Sequence, residues 1–188
     1  MEKKQIWKPG NMLYPVPVVM VSCGSKEGKK NIITIAWTGT ICSDPAMISI
    51  SVRPERYSYG MIRDTGEFVV NLTTKELAFA TDWCGVKSGR DVDKFEAMGL
   101  TAVPGNVLEY APVIEESPVN LECRVEQVLE LGSHHMFTAR IEDVMISEKY
   151  MNETGKFELN RTGLVTYSYG EYFVLGEKLG KFGYSVKK

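Results

Sequence analysis

The sequence is poor in metal ligands. Its only histidines are the adjacent pair His134 and His135. Neighbours on a strand point to opposite faces, so the two are badly placed to grip one ion. The four cysteines, Cys23, Cys42, Cys84 and Cys123, lie far apart and never form C-x-x-C. That leaves a zinc or thioredoxin-type site without support, and no metal is expected. The thiols, Cys42 included, are expected to be reduced and mostly buried. An excess of positive charge is missing too. With 22 Lys and Arg against 24 Asp and Glu, the formal net charge is −2 and there is no basic block, which argues against nucleic acid as a partner. No apolar run reaches the length of a membrane span, and the opening MEKKQIWKPG lacks the h-region of a signal peptide. A cytoplasmic chain with no membrane partner is therefore expected. There is no G-x-G-x-x-G and no regular strand–helix alternation, which speaks against a doubly wound parallel sheet.

What is present is an ordinary globular composition, 44% hydrophobic and 24% charged over 188 residues. That length fits a single domain, 1–188, with a real core. An N-terminal arm, 1–10, and a Gly-punctuated aromatic tail, 170–188, flank it. The stretch from Asn31 to Leu72 organises the rest: strand, Asp44-Pro45 turn, strand, short helix, Gly66 turn, strand. Ile32 to Ile41 reads as one strand. Ile33, Ile35, Trp37, Gly39 and Ile41 share one face; Ile32, Thr34, Ala36, Thr38 and Thr40 share the other. The second face is small and partly polar, so something flat could lie against it. Ser58 reads as a helix N-cap, and a helix start with Arg56 beside it suits a phosphate.

Further on, Thr73 or Thr74 caps a helix in TTKELAFATDWCGV, and SGRDVDKFEAMG reads as a loop and a short helix from which Lys94 projects. Gly85 and Gly89 make that loop adaptable. Asn120 to Glu130 alternates Leu121, Cys123 and Val125 with Glu122, Arg124 and Glu126, which predicts one wet face. His134 to Ser147 returns as its antiparallel partner, and Leu164 to Tyr169 is a last short strand. Hairpins dominate and helices are short insertions. The expectation is a mainly β chain whose six or seven strands form a closed or nearly closed antiparallel barrel. Taken singly, the candidate residues read more simply: Trp37 as core, Lys94 as a solvated helix face, Asn31 as a turn residue, Ser58 as a plain cap.

The ordered set of motifs resembles the flavin reductase-like family with its FMN-binding split barrel, in the flavoredoxin branch. It comprises N-x-x-T-x-A-W-T-G from Asn31, the Asp44-Pro45 turn, S-V-R-P-x-R-x-S from Ser51, G-E-F-V-V-N from Gly66, S-G-R-D-V-D-K-F from Ser88 and L-G-S-H from Leu131. Y-S-Y-G-E-Y-F-V-L-G from Tyr167 and the closing L-G-K-F-G-Y-S-V-K-K complete it. The resemblance implies a homodimer with one FMN per subunit near the interface, touched by Asn31, Trp37, Ser58 and Lys94. It also implies an aromatic near the last short strand, Tyr169 or Tyr167. On that footing Ser58, Arg56 and Lys94 give the phosphate a hydroxyl, a planar fork and a point charge. Trp37 with Thr34, Thr38 and Thr40 forms a wall for the ring.

Relatives commonly carry Gly-Asp-His where this chain has Gly132-Ser133-His134. In relatives that use NAD(P)H this histidine sits beside the nicotinamide, which makes His134 the candidate catalytic residue. Without the acid, nothing local raises its pKa or fixes its ring. The implied function is an FMN flavoprotein oxidoreductase that exchanges electrons with a redox partner protein, as a flavoredoxin does. The alternatives are an NAD(P)H-dependent flavin reductase and, in another class, a non-catalytic FMN store.

Overall fold

The computed structural model describes residues 3–186. The first two residues of the expected arm and the last two of the expected tail lie outside the described residues. Two short strands come first, β1 (Val16–Pro17) and β2 (Val19–Gly24), followed by β3 (Lys30–Ile35), β4 (Thr38–Ser43) and β5 (Ala46–Val52). Helix α1 (Tyr57–Thr65) leads into β6 (Glu67–Leu72), then α2 (Ala78–Val86) and the five-residue α3 (Lys94–Met98). The two-residue strands β7 (Ala102–Val103) and β8 (Val113–Ile114) precede the long hairpin β9 (Val119–Glu130) and β10 (His135–Ile146). The chain closes with β11 (Val165–Ser168) and β12 (Glu171–Val174).

Seven strands form one antiparallel sheet in the order β3-β2-β6-β9-β10-β5-β4. Its two edge strands, β3 and β4, are consecutive in the chain. The single strand expected from Ile32 to Ile41 is therefore two strands joined by a bend at Ala36 and Trp37. A straight strand could pair at only one edge. The bend carries the chain from one edge to the other, and the Ser51 N–H donates to the Trp37 carbonyl at 2.9 Å across the junction. The sheet thus curls into a barrel with little free edge. The shared apolar face also ends there: Ile35 is 4% exposed, Ile41 48%.

Inside lie Val21, Ile35, Ile50, Ile62, Phe68 and Phe137. Outside, α2 and α3 cover β2 and β3 through Met20, Ile32, Ala80, Cys84 and Phe95. Both faces of β2 are therefore covered and all six of its residues are buried, which is why its apolar run does not alternate. The small sheet β1-β11-β12 stands apart.

Three local expectations change. The N-cap of α1 is Arg56, without a side-chain cap bond, and Ser58 is the second residue of the helix, buried. The extended backbone at Arg56 starts the helix and Gly66, at φ 71°, ends it as expected. Helix α2 begins after Leu77, because the buried Thr73 and Thr74 sit upstream of it; the Thr74 carbonyl accepts the Leu77 N–H. On β9 the expected wet face is broken by Glu122, which is fully buried because its carboxylate accepts backbone N–H groups from residues 106–108. No helix among the described residues is long and apolar enough to cross a membrane.

Candidate functional site

Two adjoining cavities share Ile33 and Arg56 and make one groove beside β3. The narrower end, about 180 Å³, is walled by β3, the start of α1 and the segment from α2 to α3. At its floor is Lys94. The Asp93 carboxylate caps α3, accepting the Phe95 and Glu96 N–H groups at 2.9 and 3.2 Å. This fixes the helix start so that Lys94 turns inward and is only 4% exposed. It does not project into solvent. Its Nζ donates to the carbonyls of Ile32 (2.7 Å) and Cys84 (2.6 Å). Among the described residues it forms no ion pair. Burial pulls its pKa below the usual lysine value, and Arg56 adds to that. A buried ammonium whose partners are carbonyls retains a third donor and an uncompensated charge.

Above it, Asn31 (3% exposed) donates from Nδ2 to the Ser58 hydroxyl at 2.8 Å. That leaves the Ser58 O–H proton free to point elsewhere, next to the unpaired N–H groups of a helix start. The backbone of Gly89 lies directly on this pair: a Cβ there would stand 2.1 Å from Asn31 Oδ1 and 2.9 Å from the Tyr57 ring. Arg90 stacks over Tyr57 at 5.4 Å and donates to the Glu55 carbonyl at 3.2 Å. Chemically, this end offers an ammonium, a guanidinium, a hydroxyl and helix N–H groups, the set that a phosphate monoester needs.

The wider end, about 310 Å³, is lined by Thr34, Trp37, Ser51, Arg53, His134 and Tyr167, among others. The Thr34 hydroxyl donates to the Thr81 carbonyl, which turns its methyl-bearing side into a wall. His134 Nδ1 meets the Ser133 hydroxyl at 3.0 Å, so the serine that replaces the acid does contact the ring. Burial, and then the neighbouring Arg53, lower the His134 pKa, so the imidazole is neutral at neutral pH. His135 points the other way, its Nδ1 2.7 Å from the Tyr59 hydroxyl.

The groove thus gathers Asn31, Thr34, Trp37, Arg56, Ser58, Lys94 and His134. Two candidates fall outside it. Thr38 follows the bend onto β4 and donates to the Ser49 carbonyl at 2.8 Å. Tyr169 sits in the turn after β11 at φ 49°, 71% exposed and edge-on to Tyr14. The pairing of β11 with β1 sets Tyr167 against Val16 and brings Tyr167, rather than Tyr169, to the groove. Cys42 is half-buried at the far end of β4, with its thiol near the Asp44 carbonyl. Sequence reasoning passed over Lys87 and Arg90 as wall residues. The dense Lys87-Ser88-Gly89-Arg90 string beside a glycine was the available signal.

Residues 11–173 match the family described as the flavin reductase like domain. Flavoredoxin of Desulfovibrio vulgaris (Miyazaki F) superposes with a TM-score of 0.90 at 30% identity, over 98% of this chain and 100% of that chain. Flavoredoxin from Methanosarcina acetivorans superposes with a TM-score of 0.86 at 30% identity, over the full length of both. In sequence, an uncharacterized protein of Archaeoglobus fulgidus is 30% identical over 161 residues, 86% of this chain and 88% of that protein.

Proposed function

The chain belongs to the flavin reductase like family, with that family's antiparallel split barrel, and from this premise we propose that it is an FMN flavoprotein that relays electrons in the manner of a flavoredoxin. The family supports a flavin-binding redox role. The observation that carries the choice of FMN is Lys94: a buried ammonium held by two carbonyls, facing a small polar cavity. A terminal phosphate monoester compensates that charge; a flavin without phosphate would not. The residues fit the group. Lys94, Ser58, Asn31 and Arg56 would hold the phosphate and the polyol next to it, and Gly89 would give them room. Thr34, Trp37 and Tyr167 would wall the ring, with the neutral His134 lining the same cavity. When bound, FMN supplies both hydride and one-electron chemistry, and the protein's part is to position and shield it.

The same reading takes residues 1–188 as one domain, cytoplasmic and homodimeric. Ile6 and Leu13 of the N-terminal segment and Leu179 and Phe182 of the tail are at least 86% exposed, an apolar surface that a second copy would cover. His134 at the ring end favours a second reading, hydride supply by NAD(P)H.

Lys94→Met keeps the shape and removes the charge. FMN titration should show binding weaker by roughly tenfold or more, the worth of one charge-assisted bond at ~1.5–3 kcal/mol; unchanged affinity would overturn the phosphate assignment. Anaerobic stopped-flow mixing separates the two electron routes. Reduction by a ferredoxin and not by NADH or NADPH supports the relay, and fast bleaching by either nucleotide supports the reductase.

A further inference from the structure

The three adjoining cavities on the groove face are lined by cations far beyond what one phosphate needs. Lys29 and Lys30 end the β2–β3 hairpin, Arg53 and Arg56 follow β5, and Lys87 and Arg90 lie between α2 and α3. All six are exposed, and Arg53 alone among them has an ion-pair partner among the described residues, Glu55 at a loose 3.7 Å. Among the described residues only three carboxylates line the same cavities: Glu55, Asp91 and Asp93. The charge of Asp93 is directed into the start of α3. A phosphate dianion set against the buried Lys94 still leaves this face positive, on a chain whose net charge is −2. The rest of the chain therefore carries the net negative charge. The six cations come from three separate segments and span three cavities, a footprint broader than a small anion requires. A low-dielectric cleft ringed with one sign of charge steers an oppositely charged partner.

We infer that this face is the docking surface for an acidic one-electron carrier protein. The inference rests on the flavoprotein reading for its redox sense, but the docking itself does not need the flavin. Each encounter moves one electron, oxidising the carrier by one and reducing the bound flavin by one. Two encounters and two protons from water complete the reduction.

The probe is an acidic plant-type ferredoxin. Calorimetric titration of the purified protein with oxidised ferredoxin should show binding at ~0.02 M salt that weakens about tenfold or more by ~0.3 M. Lys29→Glu/Lys30→Glu lies outside the residues assigned to the cofactor. It should weaken binding by a similar factor at low salt and leave FMN affinity within twofold. Stopped-flow reduction by photoreduced ferredoxin should follow the same salt dependence, whereas reduction by a photogenerated neutral deazaflavin radical should not. Binding that ignores salt and the double substitution, or ferredoxin that fails to bind, overturns the docking surface. A protein that binds ferredoxin in this way but takes up no FMN keeps the surface and ends the flavoprotein reading instead.

Discussion

Lys94 on α3 spends two of its three N–H donors on the carbonyls of Ile32 and Cys84, and a cavity lies beside it. Glu122 on β9 spends its two oxygens on the N–H groups of Asn106 (2.6 Å), Val107 and Leu108 (both 3.0 Å). Both side chains are charged and buried. The difference lies in what surrounds them. Around Glu122 the chain itself has closed a nest of backbone donors, tightly enough that a Cβ on Gly105 would stand 2.5 Å from the carboxylate. Glu67 repeats the arrangement one strand away, taking the N–H groups of Glu109 and Tyr110 and pairing with Arg124 at 3.0 Å. Segment 105–110 is thus wrapped around two internal anions. At Lys94 no such closure has occurred, and the missing counter-charge has to come from outside. A buried charge that is fully satisfied by its own chain belongs to stability; one left facing a cavity belongs to binding.

The largest test of this contrast is Glu122→Ala. Three N–H donors lose their acceptor together, which should cost about 3 kcal/mol of unfolding free energy in a denaturant titration. The folded fraction should bind FMN within twofold of the parent. Lys94→Met is the mirror image, with binding weakened about tenfold or more and stability little changed. If either variant loses both properties in proportion, the division between the two buried charges fails.

Much of the barrel was legible because hairpins announce themselves. The strand running to Glu130, the return strand after Gly132 and the Gly66 stop all fall where pattern and turn chemistry put them. The bend at Trp37 was not legible. The apolar series Ile33, Ile35, Trp37 runs through it without a break, and only the pairing of Ser51 with Trp37 shows where the chain changes edge. Glu122 was misread for the related reason that its donors come from an aperiodic segment distant in sequence. The same blindness applies to the site. Nothing local says that Asp93 will turn Lys94 inward, or that the β1–β11 register will choose Tyr167 over Tyr169. The groove residues were found through the ordered motifs of the family, and the geometry then supplied the physical reasons that pattern alone lacked.

A smaller effect is expected from Gly89→Ala, which probes the binding side of the comparison without touching a charge. The added methyl meets Asn31 Oδ1, and Asn31 is pinned by its bond to Ser58, so the neighbour cannot swing away. The segment 88–90 must lift instead. FMN affinity should fall about tenfold by titration, with the unfolding midpoint changing by less than that of Glu122→Ala. Unchanged affinity would place the cofactor away from this wall.

The mildest perturbation is pH, and it sets the two sides of the comparison in opposition within a single residue. The phosphate is largely dianionic above pH ~7, so beyond that point its charge is fixed and only the protein titrates. Burial holds the Lys94 pKa below its ordinary 10.5, and Arg56, a permanent cation, pushes in the same direction. The thiols facing Lys94 stay protonated through this range, because burial lifts Cys84 to about 11 and Cys23 to about 12. The neutral His134 contributes no charge to lose. Raising the pH toward ~10 therefore removes the Lys94 proton first, and FMN binding should weaken severalfold in fluorescence titrations. Stability moves the other way. Between the lowered folded pKa and the ordinary unfolded one, the unfolded chain binds more protons, so the contribution of Lys94 to the stability of the FMN-free protein rises with pH. Lys94→Met should flatten both trends; a wild-type affinity that is already flat to pH ~10 would mean that the ammonium does not face the phosphate.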